Sequence, residues 1–142
     1  MRVDSLTDKL RVLLIEDSKG DALLVERSLQ RTFPAIAKIE KVSYLGQALK
    51  LLAVEEFDVA LLDRSLPDTE GFDGLSSIQN IAPQLPIIFL TAYKDEQTAL
   101  EAIENGAQDY LFKDAIDGHS VKRAIQYAIM RKKFEGVLIT RA

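Results

Sequence analysis

Residues 59–71 have the sequence VALLDRSLPDTEG and contain the clearest structural pattern in this chain. The first four residues are apolar without interruption, which is typical of a strand buried on both faces of a parallel sheet. The run ends at Asp63, and the polar segment after it predicts a loop. The sequence therefore places an aspartate at the end of a buried strand.

Similar apolar runs occur on both sides of this stretch and alternate with segments whose apolar residues recur at helical spacing. Strands are predicted at residues 12–15, 37–42, 59–62, 87–90 and 110–112. Helices are predicted at residues 18–31, 43–53, 72–80 and 95–104, and from 117 to at least 133. This alternation indicates an α/β fold of the flavodoxin-like (βα)5 type. Its doubly wound five-stranded parallel sheet would have the order 2-1-3-4-5, with helices on both faces.

Several helix ends carry recognisable capping residues. Ser18, Ser43 and Asp95 are predicted N-caps, and Asn105-Gly106 is a typical helix stop.

The composition limits the class of protein. The chain has 142 residues, of which 47% are hydrophobic and 28% charged, as in a soluble globular domain. It contains no cysteine, which excludes thiolate metal sites, and its net charge of −4 argues against direct nucleic-acid binding. We see no signal peptide and no apolar run of membrane-spanning length, so we expect a cytoplasmic protein without membrane association.

One domain is expected at residues 9–132, between an N-terminal tail at 1–8 and a C-terminal helix extension or linker at 133–142. Apolar residues continue in this last segment at near-heptad spacing, which favours a linker to another domain or a dimer contact. A tail that covers its own domain is an equal alternative.

Four of the five predicted strands end in polar residues. Glu16 and Asp17 follow the first strand, Asp63 the third, Thr91 the fourth and Lys113 the fifth. In open α/β sheets ligands bind at the carboxyl ends of the strands, where the strand order reverses. We therefore expect these five side chains to share one crevice.

This group of residues suits phosphoryl transfer. Clustered carboxylates repel one another and recruit a cation, and Mg²⁺ prefers oxygen ligands. No histidine or cysteine is placed to favour zinc. Beside Mg²⁺, an ammonium group and a hydroxyl, an aspartate carboxylate can attack phosphorus and form an aspartyl phosphate.

At this point the chain resembles the receiver domain of two-component response regulators, over about residues 9–132. In the family's phosphorylation loop a proline and a glycine typically follow the aspartate, as Pro67 and Gly71 follow Asp63 here. The motifs that carry the resemblance are Glu16-Asp17, residues 63–71, Thr91-Ala92 and residues 110–113. Their joint occurrence, each at a strand end, is what makes the resemblance specific.

The resemblance implies a role for each site residue. Asp63 would be the phosphoacceptor, and Lys113 would contact Asp63 or its phosphoryl group. Asp17 would coordinate Mg²⁺ directly, Glu16 would hold the metal through water, and the main-chain carbonyl of Ser65 would complete the protein ligands.

The resemblance also implies a switch. Thr91 would turn its hydroxyl toward the phosphoryl oxygen, and Tyr110 would then rotate inward to fill the space that Thr91 leaves. A half-buried structural tyrosine is an equal alternative for Tyr110.

Three residues depart from the family's pattern and are expected to modulate the phosphoryl lifetime or the readout. Asp114 stands where a proline usually follows the lysine; a cis bond there would cost about 3 kcal/mol, which favours a trans bond and a differently shaped loop. Arg64 either lies over the site and helps bind the phosphoryl group or extends into solvent. Tyr93 is bulkier than the polar residues common at its position, and both it and Ser65 are expected to affect access of water.

The implied function is that of a phosphoacceptor in a phosphorelay, and not of an enzyme beyond self-directed phosphoryl transfer and slow autodephosphorylation. The expected donor is a sensor histidine kinase or a histidine phosphotransfer protein. The expected readout is a C-terminal output domain, or a homodimer formed through the fourth helix, fifth strand and last helix.

Two other functions are compatible with parts of this pattern. A degenerate receiver would bind a partner without phosphorylation; the intact Asp17, Asp63, Thr91 and Lys113 argue against it, whereas Asp114 leaves it open. A Mg²⁺-dependent phosphohydrolase of the haloacid-dehalogenase-like class needs a second acid two residues after the nucleophile. Here that position is Ser65.

Overall fold

The computed structural model describes residues 10–33, 36, 38–91 and 95–141, except the side chains at 115, 118 and 136–141. The strands in this part of the chain are β1 (Arg11–Ile15), β2 (Lys38–Val42), β3 (Val59–Asp63), β4 (Ile87–Thr91) and β5 (Asp109–Phe112). The helices are α1 (Lys19–Thr32), α2 (Leu45–Leu52), α3 (Asp73–Ile81), α4 (Glu96–Glu104) and α5 (Gly118–Arg141). A 3-10 turn (Lys113–Ala115) joins β5 to α5.

The strands form one parallel sheet in the order β2-β1-β3-β4-β5, which confirms the predicted topology. All five residues of β3 and of β4 are buried, because these central strands are covered on both faces. The outermost strands, β2 and β5, are half-buried for most of their length. The weaker apolar pattern of residues 37–42 therefore reflects an edge position.

Alternation along the strands divides the core into two layers. Leu14, Leu61 and Leu90 face one layer, formed with α1 and α5. Leu13, Leu62 and Phe89 face the other, formed with α2, α3 and α4. Two layers of helices thus hold the carboxyl ends of the central strands at a fixed edge of the sheet.

The helix ends agree with the predictions at three of four positions. Ser18 accepts a hydrogen bond from the Asp21 N–H, and Asp95 accepts one from the Thr98 N–H, so both are N-caps. Gly106 follows α4 with a φ of 108°, as expected for a helix stop.

The prediction that Ser43 caps the second helix is wrong. The N-cap of α2 is Tyr44. The Gln47 side chain accepts hydrogen bonds from the N–H groups of Ser43 and Tyr44. Ser43 is not needed as a cap, because a carboxylate from a distant loop takes the donors of the first turn, as described below.

Helix α5 continues well beyond the predicted domain end at residue 132. Its Arg131 guanidinium donates to the Gln108 carbonyl, and the Gln108 amide donates to Glu135. Phe134 is 59% exposed. The predicted tail at residues 1–8 lies outside the described residues. Among the helices that are described, none has the length and hydrophobicity that crossing a bilayer would require.

Candidate functional site

Lys113 lies against two of the predicted acids at the carboxyl edge of the sheet. The Lys113 Nζ atom lies 2.8 Å from Asp63 Oδ1 and 2.9 Å from Glu16 Oε1. Asp63 is the last residue of β3 and Glu16 follows β1, which is the neighbouring strand. The predicted juxtaposition of Glu16, Asp63 and Lys113 is therefore present, and Lys113 bridges the two buried acids.

The site contains buried oxygen atoms that need a partner. Glu16 is 4% exposed and Asp63 only 1%. One oxygen of each is paired with Lys113, whereas Asp63 Oδ2 and Thr91 Oγ1 are buried without a hydrogen bond among the described residues. Because unpaired buried polar atoms are costly, this arrangement suits a ligand that supplies the missing interactions.

The ionisation of the site follows from its burial. Burial, together with the neighbouring Asp63 carboxylate, raises the pKa of Glu16 from 4.5 to about 7, although Lys113 and the Ser18 N–H oppose the shift. For Lys113, burial opposes the charged form, but the contacts with Asp63 and Glu16 outweigh it and raise its pKa above the usual 10.5. The lysine is therefore a permanent cation beside the two buried acids.

The residues present fit a hard divalent cation. Oxygen atoms of Glu16, Asp17 and Asp63 all lie within 4.8 Å of one another. Asp17 is exposed, so this cluster opens to solvent on one side. Ser65 is also exposed, two residues after Asp63, where the resemblance implies a carbonyl ligand. Mg²⁺ is commonly held by carboxylates and retained waters, and such an arrangement suits it.

Asp21 is a site residue that the sequence reasoning missed. It lies in the first turn of α1, and its Oδ2 atom is 3.3 Å from Lys113 Nζ. Lys113 thus contacts three carboxylates: one directly after β1, one in α1 and one at the end of β3. The predicted Ser18 cap was the available signal, because it fixes the first turn of α1 beside the carboxyl end of β1.

Asp68, in the loop after β3, was also missed. Its carboxylate accepts hydrogen bonds from the N–H groups of Leu45 and Gly46, at 2.9 and 3.0 Å, and so caps α2. Burial opposes the charged form of Asp68, but these two donors outweigh it and lower its pKa below 3.8. The loop that follows Asp63 is therefore attached to the start of α2.

The three residues that depart from the family's pattern have different positions. Arg64 is exposed, and its Nη1 atom lies 3.5 Å from Asp95 Oδ2, at the start of α4. The Lys113–Asp114 bond is trans, and Asp114 is exposed in the 3-10 turn. Tyr93 lies outside the described residues.

Tyr110 is half-buried in β5 and packs its ring edge-on against Phe112, with 5.4 Å between ring centroids. Its pairing register places Tyr110 opposite Phe89 of β4, and β4 separates Tyr110 from β3, which carries Asp63. This position is compatible with both predictions for Tyr110, a switch residue and a structural tyrosine.

The fold and the site together define a receiver-like α/β domain. Its five-stranded sheet has the order 2-1-3-4-5 and carries an acid cluster, a threonine and a lysine at its carboxyl edge. Residues 12–126 match the model of the response regulator receiver domain, and the chain belongs to this family. Receiver domains are signalling phosphoacceptors rather than catalytic enzymes, so this prediction from the resemblance is confirmed at the level of the family.

Individual relatives agree with this assignment. The chain is 36% identical over 100 residues to the regulatory protein LuxO of Vibrio cholerae. It is 32% identical over 103 residues to the transcriptional regulatory protein KdpE of Staphylococcus aureus. These matches cover 70% and 72% of the chain but only 21% and 43% of the two relatives.

A solved structure of similar extent is the signal receiver domain of a Vibrio parahaemolyticus protein described as a LuxO repressor. It matches with a TM-score of 0.75 and 30% identity, and the match covers 92% of this chain and 97% of that chain.

Proposed function

We propose that Asp63 accepts a phosphoryl group from a phosphohistidine in a Mg²⁺-dependent reaction, and that this modification changes the surface that a partner recognises. The observation that carries the proposal is the buried Asp63 carboxylate, 2.8 Å from Lys113 and within the cluster formed with Glu16 and Asp17. Family membership supports the same role.

The transfer needs little beyond positioning and charge. An oxygen of Asp63 attacks the phosphorus atom; the new O–P bond forms as the N–P bond to the donor imidazole breaks. Lys113 stays protonated, since its pKa is raised, and it offsets negative charge on the phosphoryl oxygens. The donor imidazole leaves with the electron pair of the broken bond and is protonated from solvent.

Glu16, Asp17, Asp63 and the Ser65 carbonyl would hold the metal. When bound, Mg²⁺ supplies positive charge that offsets the repulsion between the acidic site and the incoming phosphoryl group. Of the three carboxylate ligands, Asp17 is the exposed one, so it is the carboxylate most accessible to an entering ion.

In this proposal Thr91 links phosphorylation of Asp63 to a movement of Tyr110. Its Oγ1 atom is buried without a hydrogen bond among the described residues, at the end of the strand next to β3. A phosphoryl oxygen on Asp63 would give this hydroxyl an acceptor, and Tyr110 on the adjacent strand would respond to its movement. Both side chains are thus assigned to the switch.

The test is the intact mass of the protein after incubation with Mg²⁺ and acetyl phosphate. We expect one phosphoryl adduct on the wild type and on Asp73→Asn, a control at an exposed aspartate. Asp63→Asn should show none. An unmodified wild type would instead favour a phosphorylation-independent interaction module, and rapid consumption of the donor without a trapped adduct would favour a phosphohydrolase.

The proposed partners follow from family membership and from the length of the relatives. The donor would be a sensor histidine kinase or a histidine phosphotransfer protein. Because the curated relatives are much longer than the matched region, residues 133–142 are proposed as a linker to an output domain that follows the receiver domain at 9–132. A cytoplasmic location belongs to the same proposal and rests on family membership.

A homodimer through α4, β5 and α5 is the alternative readout. Leu100 of α4 and Tyr127 of α5 are 55% and 49% exposed, although both are large apolar or aromatic side chains. This surface also carries opposite charges, with acidic residues on α4 and the basic Lys122 and Arg123 on α5. Two copies could therefore pair both apolar and charged groups.

A further inference from the structure

Lys113 and a divalent cation would compete for the same atoms. The ammonium group is paired with Glu16 Oε1 and Asp63 Oδ1, and both residues belong to the acidic cluster that suits the metal. Two cations that share these oxygens repel each other. Metal binding therefore requires Lys113 to give up part of its contact with the cluster.

Asp21 offers the ammonium group another partner. Its Oδ2 atom is 3.3 Å from Lys113 Nζ, whereas the acids whose oxygens converge on the metal position are Glu16, Asp17 and Asp63. The Asp21 N–H donates to the Ser18 hydroxyl, so the helix cap fixes the backbone from which this carboxylate extends. Asp21 is therefore a carboxylate outside the cluster but within reach of the lysine.

The backbone at Lys113 gives the lysine less support than the family's pattern would. Asp114 replaces the proline that usually follows, and proline would have fixed a φ angle at this position. The segment instead forms a short 3-10 turn with Asp114 exposed. A side-chain contact from α1 can supply the constraint that the turn lacks.

We propose that Asp21 is a positioning residue that holds the Lys113 ammonium beside the site when Mg²⁺ takes the oxygens of Glu16 and Asp63. The proposal rests on the Mg²⁺-dependent function proposed above. It assigns Asp21 no contact with the metal or the phosphoryl group; Asp21 acts through Lys113 alone.

The test is a double-mutant cycle on Mg²⁺ affinity, measured by calorimetry without a phosphodonor. Asp21→Asn should raise the Mg²⁺ dissociation constant by about three- to tenfold, because Lys113 then stays on the oxygens that the metal needs. In the background of Lys113→Gln the same change should have less than about a twofold effect. Asp21→Glu, which keeps the charge, should remain within about twofold of the wild type.

Asp73→Asn is the matched control, since Asp73 is an exposed aspartate in the first turn of α3. It removes the same charge from an equivalent helix position and should leave the dissociation constant unchanged. The inference is overturned if Asp21→Asn binds Mg²⁺ as tightly as the wild type. It is also overturned if Asp21→Asn weakens Mg²⁺ binding equally with and without Lys113. That result would indicate that the negative charge of Asp21 acts on the metal directly and not through Lys113.

A wild type that binds no Mg²⁺ would contradict the proposed function itself and remove the basis of this inference. Binding by the wild type with no coupling between Asp21 and Lys113 would contradict the inference alone. The two failures are therefore distinguishable in one set of titrations.

Discussion

Lys113 is the single cation in contact with Glu16, Asp21 and Asp63, as far as the described residues show. Removing one member of a buried ion pair leaves an uncompensated charge, so these residues form an interdependent group. Burial and the neighbouring Asp63 carboxylate both oppose the ionisation of Glu16. An additional positive charge at the site would therefore stabilise the ionised form of Glu16.

Glu16 should make the metal-free protein less stable as the pH rises. Its pKa in the folded protein, about 7, lies above its usual 4.5, so the folded state binds the proton more tightly between these values. Stability from this group is present below about pH 4.5 and lost by about pH 7. Glu16→Gln should remove this loss and so gain up to about 3 kcal/mol relative to the wild type between pH 4.5 and 8.

Urea unfolding of both proteins without Mg²⁺ at several pH values measures this difference. An unfolding free-energy difference between Glu16→Gln and wild type that stays constant across the range would contradict the assigned burial effect.

The sequence allowed five candidate site residues to be predicted for a general reason. All of them stand at or directly after the ends of parallel strands, and such ends must meet at one edge of the sheet: Glu16, Asp17, Asp63, Thr91 and Lys113. Asp21 and Asp68 could not be found in this way. Their contacts depend on how the first turn of α1 and the path of a loop are placed against the sheet, which periodicity does not specify.

At the scale of elements, strand order and helix positions follow from hydrophobic patterning, whereas helix ends depend on local hydrogen bonds. Ser18 and Asp95 cap their helices as predicted. Ser43 does not, because Gln47 and the distant Asp68 satisfy the donors at the start of α2. A cap supplied from another part of the chain is not visible in the local sequence.

Replacing each of two glycines with alanine should change the stability of the protein in opposite directions. Gly20 lies in α1 with open space around it, so Gly20→Ala should stabilise the protein by about 0.5–1 kcal/mol through helix propensity. Gly106 has a φ of 108°, and an added Cβ would meet the Gln79 side-chain amide. Gly106→Ala should therefore destabilise by about 1–2 kcal/mol.

Chemical unfolding of the two glycine variants in parallel provides the measurement, and each serves as the control for the other. Equal shifts in the same direction would show that the backbone at the end of α4 is not constrained as described.

At the scale of the whole molecule, the sheet fixes the site while the face formed by α4, β5 and α5 stays available. Its topology was predictable because continuous apolar strands alternate with amphipathic helices. The proposal that this face forms a homodimer came from the family resemblance, because local pattern does not specify which side chains of a helix stay exposed. The exposure of Leu100 and Tyr127 is determined by how the helices pack.

If two copies pair through this face, a phosphoryl mimic should shift the protein from monomer toward dimer. Sedimentation velocity with Mg²⁺ and beryllofluoride measures the shift. Leu100→Asp replaces an exposed apolar side chain of α4 with a charged one and should keep the protein monomeric, while phosphorylation at Asp63 continues. A Leu100→Asp variant that dimerises as well as the wild type would exclude this surface.

The proposed function places the phosphoryl group on Asp63. Borohydride reduces an aspartyl phosphate to homoserine, so reduction after incubation with Mg²⁺ and acetyl phosphate, followed by peptide mass mapping, locates the modified residue. We predict homoserine at position 63 and unchanged aspartate at Asp17, Asp21 and Asp68. Homoserine at one of those three positions, or an unmodified Asp63 in a protein that has gained a phosphoryl group, would contradict the account.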